Sequence, residues 1–111
     1  MVVKYDSLRE AVYTVLLMVP VGKVITYGAL ARAFNVSPRL IGRIMKDNEN
    51  APLIPCHRVV KSNGGIGGYS MEVEVKIKLL KLEGVKFNGG KVKSECIIRN
   101  VDELFNNTTK L

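Results

Sequence analysis

The chain has 111 residues, 47% of them hydrophobic and 24% charged; this is the length of one domain able to bury about two thirds of its unfolded surface, and the composition excludes a disordered or collagen-like protein. Its formal net charge of +7 at pH 7 fits a polyanionic partner, provided the basic residues gather on one element. No stretch reaches the length of a membrane span and the N-terminus lacks a secretory pattern, so the chain reads as cytoplasmic, with no membrane contact and with Cys56 and Cys96 as reduced thiols. Two cysteines and a single histidine fall short of a four-ligand structural zinc site, and neither a metal nor a cofactor is expected.

The first element opens at Ser7-Leu8-Arg9-Glu10, a capping box in which the Ser7 hydroxyl takes the N3 amide and Glu10 reaches back to the cap. Leu8, Ala11, Val12, Val15, Leu16 and Val19 recur at the helical period, which predicts a helix from about Ser7 to Met18, ending before Pro20. Thr26 caps a second, short helix with Leu30, Ala31 and Phe34 inward. After Asn35-Val36-Ser37, Ser37 as N-cap and Pro38 at the first helical position start a third helix through about Asp47. Two short helices across so tight a turn form a helix-turn-helix. On the third helix Leu40, Ile41, Ile44 and Met45 supply the core face, while Arg39, Arg43 and Lys46 make a basic face on the other side. Gly42 lies among them, where a missing side chain lets another backbone come close. The N-terminal residues of such a helix lie nearest the bases in a groove, which singles out Arg39.

Cys56 follows in Ala51-Pro52-Leu53-Ile54-Pro55-Cys56-His57-Arg58. The two prolines remove backbone donors and fix φ, so the approach to the thiol is expected to be extended and stiff. His57 and Arg58 bring up to two positive charges beside the sulfur, which favours the nucleophilic thiolate; a small buried hydrophobe is the competing reading of a free cysteine.

The stretch from Ser62 to Gly68 is a loop with four glycines, which permits close backbone approach to a ligand or to the chain itself. It lacks the Lys-Ser/Thr ending of a phosphate-binding loop. From Glu72 to Gly84 a helix is predicted, with Ser70 as cap, Glu72/Lys76 and Glu74/Lys78 as i,i+4 pairs and Gly84 just past the end. Glu83 then points to the apolar side and needs a partner. Residues Phe87 to Val92 read as a hairpin with a primed turn at Gly89-Gly90, and a last amphipathic piece lies around Val101 to Phe105.

Taken together these residues resemble the C-terminal active-site and DNA-binding domain of the O6-alkylguanine-DNA alkyltransferases, the methylated-DNA–protein-cysteine methyltransferases. The likeness rests on the Ile54-to-Val60 run containing Pro55-Cys56-His57-Arg58, on residues Val24 to Ala31, on Pro38 to Gly42 with Asn48 following, on Gly67-Gly68-Tyr69-Ser70 and on Leu79 to Gly84. It covers about Ser7 to Val85. The expected fold class is accordingly mainly α: a helix-turn-helix, winged-helix-like DNA-binding domain in residues 1–85, with a short C-terminal β-hairpin and tail in residues 86–111 packed on the same domain.

The resemblance implies a DNA repair activity that moves the alkyl group of O6-alkylguanine, mainly O6-methylguanine, from double-stranded DNA to Cys56, irreversibly and once per molecule, after flipping the nucleotide out of the helix. It makes His57 the base through a bridging water, Glu83 the group holding His57, and Asn48 the tie between recognition helix and active-site loop. Tyr27 becomes the hydroxyl donating to the guanine ring, Val59 part of the base-binding backbone, Ser70 a donor near the O6 leaving group and Tyr69 a pocket wall. Arg39 fills the gap left by the flipped nucleotide, with Ser37, Gly42, Arg43 and Lys46 at the DNA, and the protein acts as a monomer. The family usually carries a further domain before the first helix, so its stabilising role is expected to be absent or replaced here. A small transcription regulator without chemistry would leave Cys56, His57 and Glu83 unused. Alkyltransferase-like proteins, which bind the damaged base without accepting the group, carry another residue at the cysteine position. A Cys-His hydrolase is disfavoured, because adjacent residues seldom aim their side chains at each other.

Overall fold

The structure, a computed structural model, describes residues 4–67 and 72–106. Helix α1 spans Tyr5–Met18 and buries Leu8, Val12 and Leu16 at the expected spacing, with Val19 behind them. Its start differs from the capping box. Ser7 lies within the helix, and Lys4 is the N-cap, its carbonyl accepting from the Leu8 amide at 3.0 Å. The added turn is held from outside: the Tyr5 hydroxyl donates to Asp47, and guanidinium groups of Arg9 and Arg43 lie 5.7 and 5.1 Å from the centre of its ring. A contact 42 residues along the chain overrides the local capping signal.

Strand β1, Val24–Thr26, leads straight into α2, Tyr27–Phe34, where the Thr26 hydroxyl accepts from the Ala29 amide at 3.0 Å. Asn35 ends α2 in the left-handed region at φ 54, a conformation asparagine tolerates better than most residues. Ser37 then caps α3, Pro38–Lys46, by accepting from the Leu40 amide at 3.1 Å. The helix pair and its three-residue connection therefore form where their caps put them, with Leu30, Ala31, Ile41, Ile44 and Met45 in one apolar cluster with α1.

The mainly helical expectation holds, but β structure is not confined to a C-terminal hairpin. Strand β1 is the centre of a parallel sheet, between β2, Val59–Val60, and β5, Ile97–Ile98. Ile25 stands opposite both Val59 and Ile98. Val24, Ile25, Thr26, Val59 and Val60 are all buried, so these strands show no alternation and are too short to be told from apolar turns. Through β5 the tail enters the core: Ile98, Val101 and Leu104 join the cluster of α1 and α3.

Helix α4 is Val73–Leu82, with Glu72 and not Ser70 as its N-cap; Ser70 lies outside the described residues. Glu83 is the C-cap and Gly84 follows at φ +89, as a C′ residue should. Strands β3, Phe87–Asn88, and β4, Lys91–Val92, pair antiparallel across Gly89-Gly90, with Gly89 at the positive φ of +63 that a primed turn needs at its first position. Gly64, at φ +86, presses on β4: a Cβ there would stand 2.7 Å from the Val92 carbonyl oxygen. Helix α5, Asp102–Asn106, closes the described chain. No helix among the described residues is long and apolar enough to cross a membrane.

The inner face of α4 carries Leu80 and Lys76. The sequence paired Lys76 with Glu72, whereas the structure buries it completely, at 0% exposure. Its ammonium donates to the Val59 carbonyl at 2.8 Å and to the Ile66 carbonyl. Burial brings its pKa from 10.5 down to about 8, against the charge of Cys56, which raises it.

Two outcomes follow from this packing. Ile98→Ala, which empties part of β5, should lower the free energy of urea unfolding by about 2–5 kcal/mol, the usual cost of such a truncation in a core; a change within experimental error would remove the tail from the core. For Lys76, the unfolded chain holds a proton between about pH 8 and 10.5 that the folded chain has released. Folding therefore gains stability as pH rises through that window, and below it the penalty of the buried charge is carried in full. Wild type should accordingly gain on Lys76→Met by a few kcal/mol across the window, at roughly 1.4 kcal/mol per pKa unit, and a constant difference between the two unfolding curves would contradict a buried ionisable lysine.

Candidate active site

Cys56 begins a single 3-10 turn, Cys56–Arg58, and is 1% exposed. The approach to it is not the extended arm that two prolines suggested. The Ile54 amide bonds back to the Asn50 carbonyl at 3.0 Å, and the Cys56 amide to the Ile54 carbonyl at 2.8 Å. The reason is Asn48, buried just past α3, whose amide group donates to the Ile54 carbonyl at 2.8 Å while its oxygen accepts from the Asn50 amide at 2.9 Å. One side chain thus closes the loop between the helix-turn-helix and the thiol.

Behind the turn, α4 delivers Glu83. Its Oε2 lies 2.9 Å from His57 Nε2, and the Arg58 guanidinium donates to both carboxylate oxygens, from Nε to Oε1 at 2.9 Å and from Nη2 to Oε2 at 2.8 Å. Arg58 Nη1 reaches the Val19 carbonyl at 2.8 Å, so the guanidinium also ties the end of α1 to the site. Burial alone would raise the Glu83 pKa, but the hydrogen bonds of Arg58 and His57 outweigh it and hold the carboxyl below its ordinary value. Burial lowers His57 despite the Glu83 hydrogen bond that opposes it, so the imidazole is neutral at pH 7. A carboxylate only accepts, which puts the imidazole proton on Nε2 and leaves Nδ1 as the basic nitrogen.

This corrects the electrostatics expected from the sequence. Arg58 is engaged by Glu83 instead of the sulfur, and His57 contributes no charge at pH 7. A cation coupled to Cys56 is Lys76, which sequence reasoning had paired with Glu72. Its signal was available: Lys76 and Leu80 sit one turn apart, on the face that also carries Glu83.

In front of the turn a cavity of about 600 Å³ opens between α3 and the chain around Tyr27 and Lys61. Arg39, Gly42 and Lys46 line it from α3, and a Cβ at Gly42 would meet nothing within 4 Å, so that helix face is open. Tyr27 lines the other wall against Gly67, where a Cβ would stand 3.0 Å from the ring. The loop glycines Gly64 and Gly67 thus serve close approach of the chain to itself. Burial first, and then the charge of Cys56, raise the Tyr27 pKa, so it stays a phenol close enough to the sulfur to sense it.

The cavity brings together Arg39, Gly42, Lys46 and Tyr27. Arg43 faces away, over the Tyr5 ring and 4.0 Å from Asp47. Ser37 is committed to capping α3. Val59 and Cys56 are buried and are not among the residues that line the cavity, the Val59 carbonyl being held by Lys76. Tyr69 and Ser70 lie outside the described residues.

Residues 7–85 match the family described as 6-O-methylguanine DNA methyltransferase, DNA binding domain. Methylated-DNA–protein-cysteine methyltransferases of Saccharolobus islandicus and Metallosphaera sedula are 46% and 49% identical over 78 and 79 residues, which is 70% and 71% of this chain and 51% and 50% of those proteins. The chain spans about half the length of the curated relatives it matches. Among solved structures, the O6-methylguanine-DNA methyltransferase of Pyrococcus kodakaraensis has a TM-score of 0.65 at 50% identity, covering 69% of this chain and 46% of that one. S. pombe Atl1 in complex with damaged DNA containing O6-carboxymethylguanine reaches 0.74 at 28% identity, covering 86% of this chain and 98% of its own. The braced thiol and the open face of α3 both fall within residues 7–85, and the chain belongs to the 6-O-methylguanine DNA methyltransferase DNA-binding domain family.

Proposed function

We propose that the chain repairs O6-alkylguanine in duplex DNA by taking the alkyl group onto Cys56, acting as a monomer in the cytoplasm. The observation that carries this reading is the brace on the turn holding the thiol, with Asn48 on one side and His57 held by Glu83 on the other. An inert core cysteine has no use for it. In the reaction the sulfur forms a bond to the alkyl carbon as the bond from carbon to O6 breaks, and the oxygen leaves with the electron pair. The thiol proton passes through one water to His57 Nδ1, the departing guanine takes a proton from the Tyr27 hydroxyl, and the imidazolium returns its proton through solvent to the tyrosinate, so the net transfer is one proton from sulfur to guanine. A neutral imidazole is the form that accepts a proton, and Glu83 stabilises the imidazolium that results.

The target atom lies inside the base stack, so the nucleotide is extruded at a cost of a few kcal/mol, which Arg39 lowers by filling the gap. In this reading the cavity receives the base, Gly42 lets the DNA backbone close on α3, and Ser37, Arg43 and Lys46 contact phosphates with little sequence preference. Val59, Tyr69 and Ser70 complete the base pocket. The winged-helix likeness belongs to the same proposal, with the β3–β4 hairpin as the wing. A thioether has no return path, so each molecule acts once. A second reading, capture of the damaged base without transfer, is favoured by the likeness to almost the whole length of Atl1; a cysteine at position 56 counts against it.

Incubation with an oligonucleotide carrying O6-methylguanine should add one methyl to the intact mass, located on Cys56 and limited to one equivalent per protein. Cys56→Ser should bind the same DNA and gain nothing, and an unchanged wild-type mass would leave only the capture reading. Arg39→Ala should slow transfer from duplex at least tenfold while leaving reaction with free O6-benzylguanine near the wild-type rate. Equal losses on both substrates would take away its role in extrusion.

A further inference from the structure

Of the six arginines in the chain, Arg9, Arg43 and Arg58 are ion-paired, with Asp6, Asp47 and Glu83 respectively. Arg32, Arg39 and Arg99 enter no ion pair among the described residues. Arg39 lines the cavity from α3. Arg32 and Arg99 do not line it themselves but reach two residues of its wall, Gly28 and Ser62. Arg99, just past β5, donates from Nη1 to the Ser62 carbonyl at 2.8 Å, and its own carbonyl accepts from Arg32 Nη2 at 2.7 Å. Ser62 and Gly28 line the wall opposite α3. A Cβ at Gly28 would stand 3.3 Å from Arg32 Nη1 and 3.4 Å from Ser62 Oγ, so the Arg32 guanidinium and the Ser62 hydroxyl meet at that wall. Lys61, exposed and beside Ser62, completes the group. The carboxylate tied to this edge is Glu103, which accepts from the amides of Arg99 and Asn100 at 3.0 Å and from neither guanidinium.

We propose that Arg32, Lys61 and Arg99 form a second phosphate-binding bank, facing α3 across the cavity and gripping the DNA backbone on the far side of the extruded nucleotide. It rests on the DNA-binding reading above and adds to it a contact supplied by the tail, beyond the residues 7–85 that match the family. Backbone carbonyls orient two of the guanidinium groups without neutralising them. Each guanidinium has five N–H donors and spends one on a carbonyl, so a planar fork remains for phosphate oxygens. With Arg39 and Lys46 opposite, and no carboxylate among the residues lining the cavity, the DNA strand passing over the opening meets cations on both banks. A protein that opens a gap in a strand gains from holding the phosphates on both sides of it.

Each phosphate contact contributes roughly 0.9 to the slope of log K against log salt on duplex DNA. Affinity for unmodified duplex is measured across a salt series for Arg32→Gln, Lys61→Gln, Arg99→Gln and the triple variant, with Lys81→Gln on the exposed face of α4 as reference. Glutamine keeps a donor for the carbonyl contacts while removing the charge, and Arg99→Lys keeps the charge while losing the fork. Each single variant should flatten the slope by about one unit and the triple by about three, with Arg99→Lys and Lys81→Gln close to wild type. Thermal melting reports whether each variant is folded, and uptake of benzyl from free O6-benzylguanine, which needs no DNA contact, should not change in Arg32→Gln and Arg99→Gln. Slopes equal to wild type in folded Arg99→Gln and in the triple variant overturn the bank. Flattened slopes in a protein whose Cys56 takes up no alkyl group would keep the bank and overturn the repair reading instead.

Discussion

The site is organised by one carboxylate that burial alone would drive toward its neutral form. Glu83 stays ionised because two consecutive residues of the 3-10 turn, His57 and Arg58, both reach it. Breaking such a partly buried pair typically costs about 3–5 kcal/mol, since the remaining charge is stranded, so the geometry of the turn and the charge state of α4 are maintained together. Arg58 carries the constraint on to the Val19 carbonyl at the end of α1. The acid and Arg58 cancel, the imidazole is neutral, and the buried Lys76 ammonium is electrostatically coupled to Cys56.

That balance separates two kinds of electrostatics in a chain carrying +7. Inside, charges are few and desolvated, Glu83 against Arg58 and Lys76 against two backbone carbonyls, and they fix positions. Outside, around the cavity, arginines and lysines are exposed and bonded at most to neutral carbonyls, which leaves their fields directed at solvent or at a polyanion. The sulfur lies at the boundary, buried at 1% exposure yet electrostatically coupled to the Tyr27 phenol in the cavity wall. Burial leaves solvent little access to the sulfur, and Tyr27 is the cavity-wall side chain coupled to it.

Much of this was legible in the sequence, for identifiable reasons. Thr26, Ser37, Pro38 and Gly84 act through local backbone chemistry, and each sits where its cap or C′ position predicts. Glu83 was flagged by a carboxylate facing an apolar side, and its partners are the residues next to the cysteine. What escaped depends on distant pairing. The parallel sheet joins strands of two or three residues from three parts of the chain, and none is long enough to display a period. Ser7 was a sound cap on local grounds and lost to Tyr5 reaching Asp47. Lys76 was misread because a lysine on an amphipathic helix is normally solvated, and only the carbonyls of Val59 and Ile66 reveal why this one turns inward.

Those two carbonyls flank the bend of residues 60–65, so one ammonium clasps both feet of the segment between them. A hairpin bend pinned in this manner can be rewritten along its crest without disturbing its base. Lys61, Ser62 and Asn63 occupy that crest. Divergence there would change the charge at the mouth of the cavity while the turn holding Cys56 stays in register, so that the two can vary as separate traits.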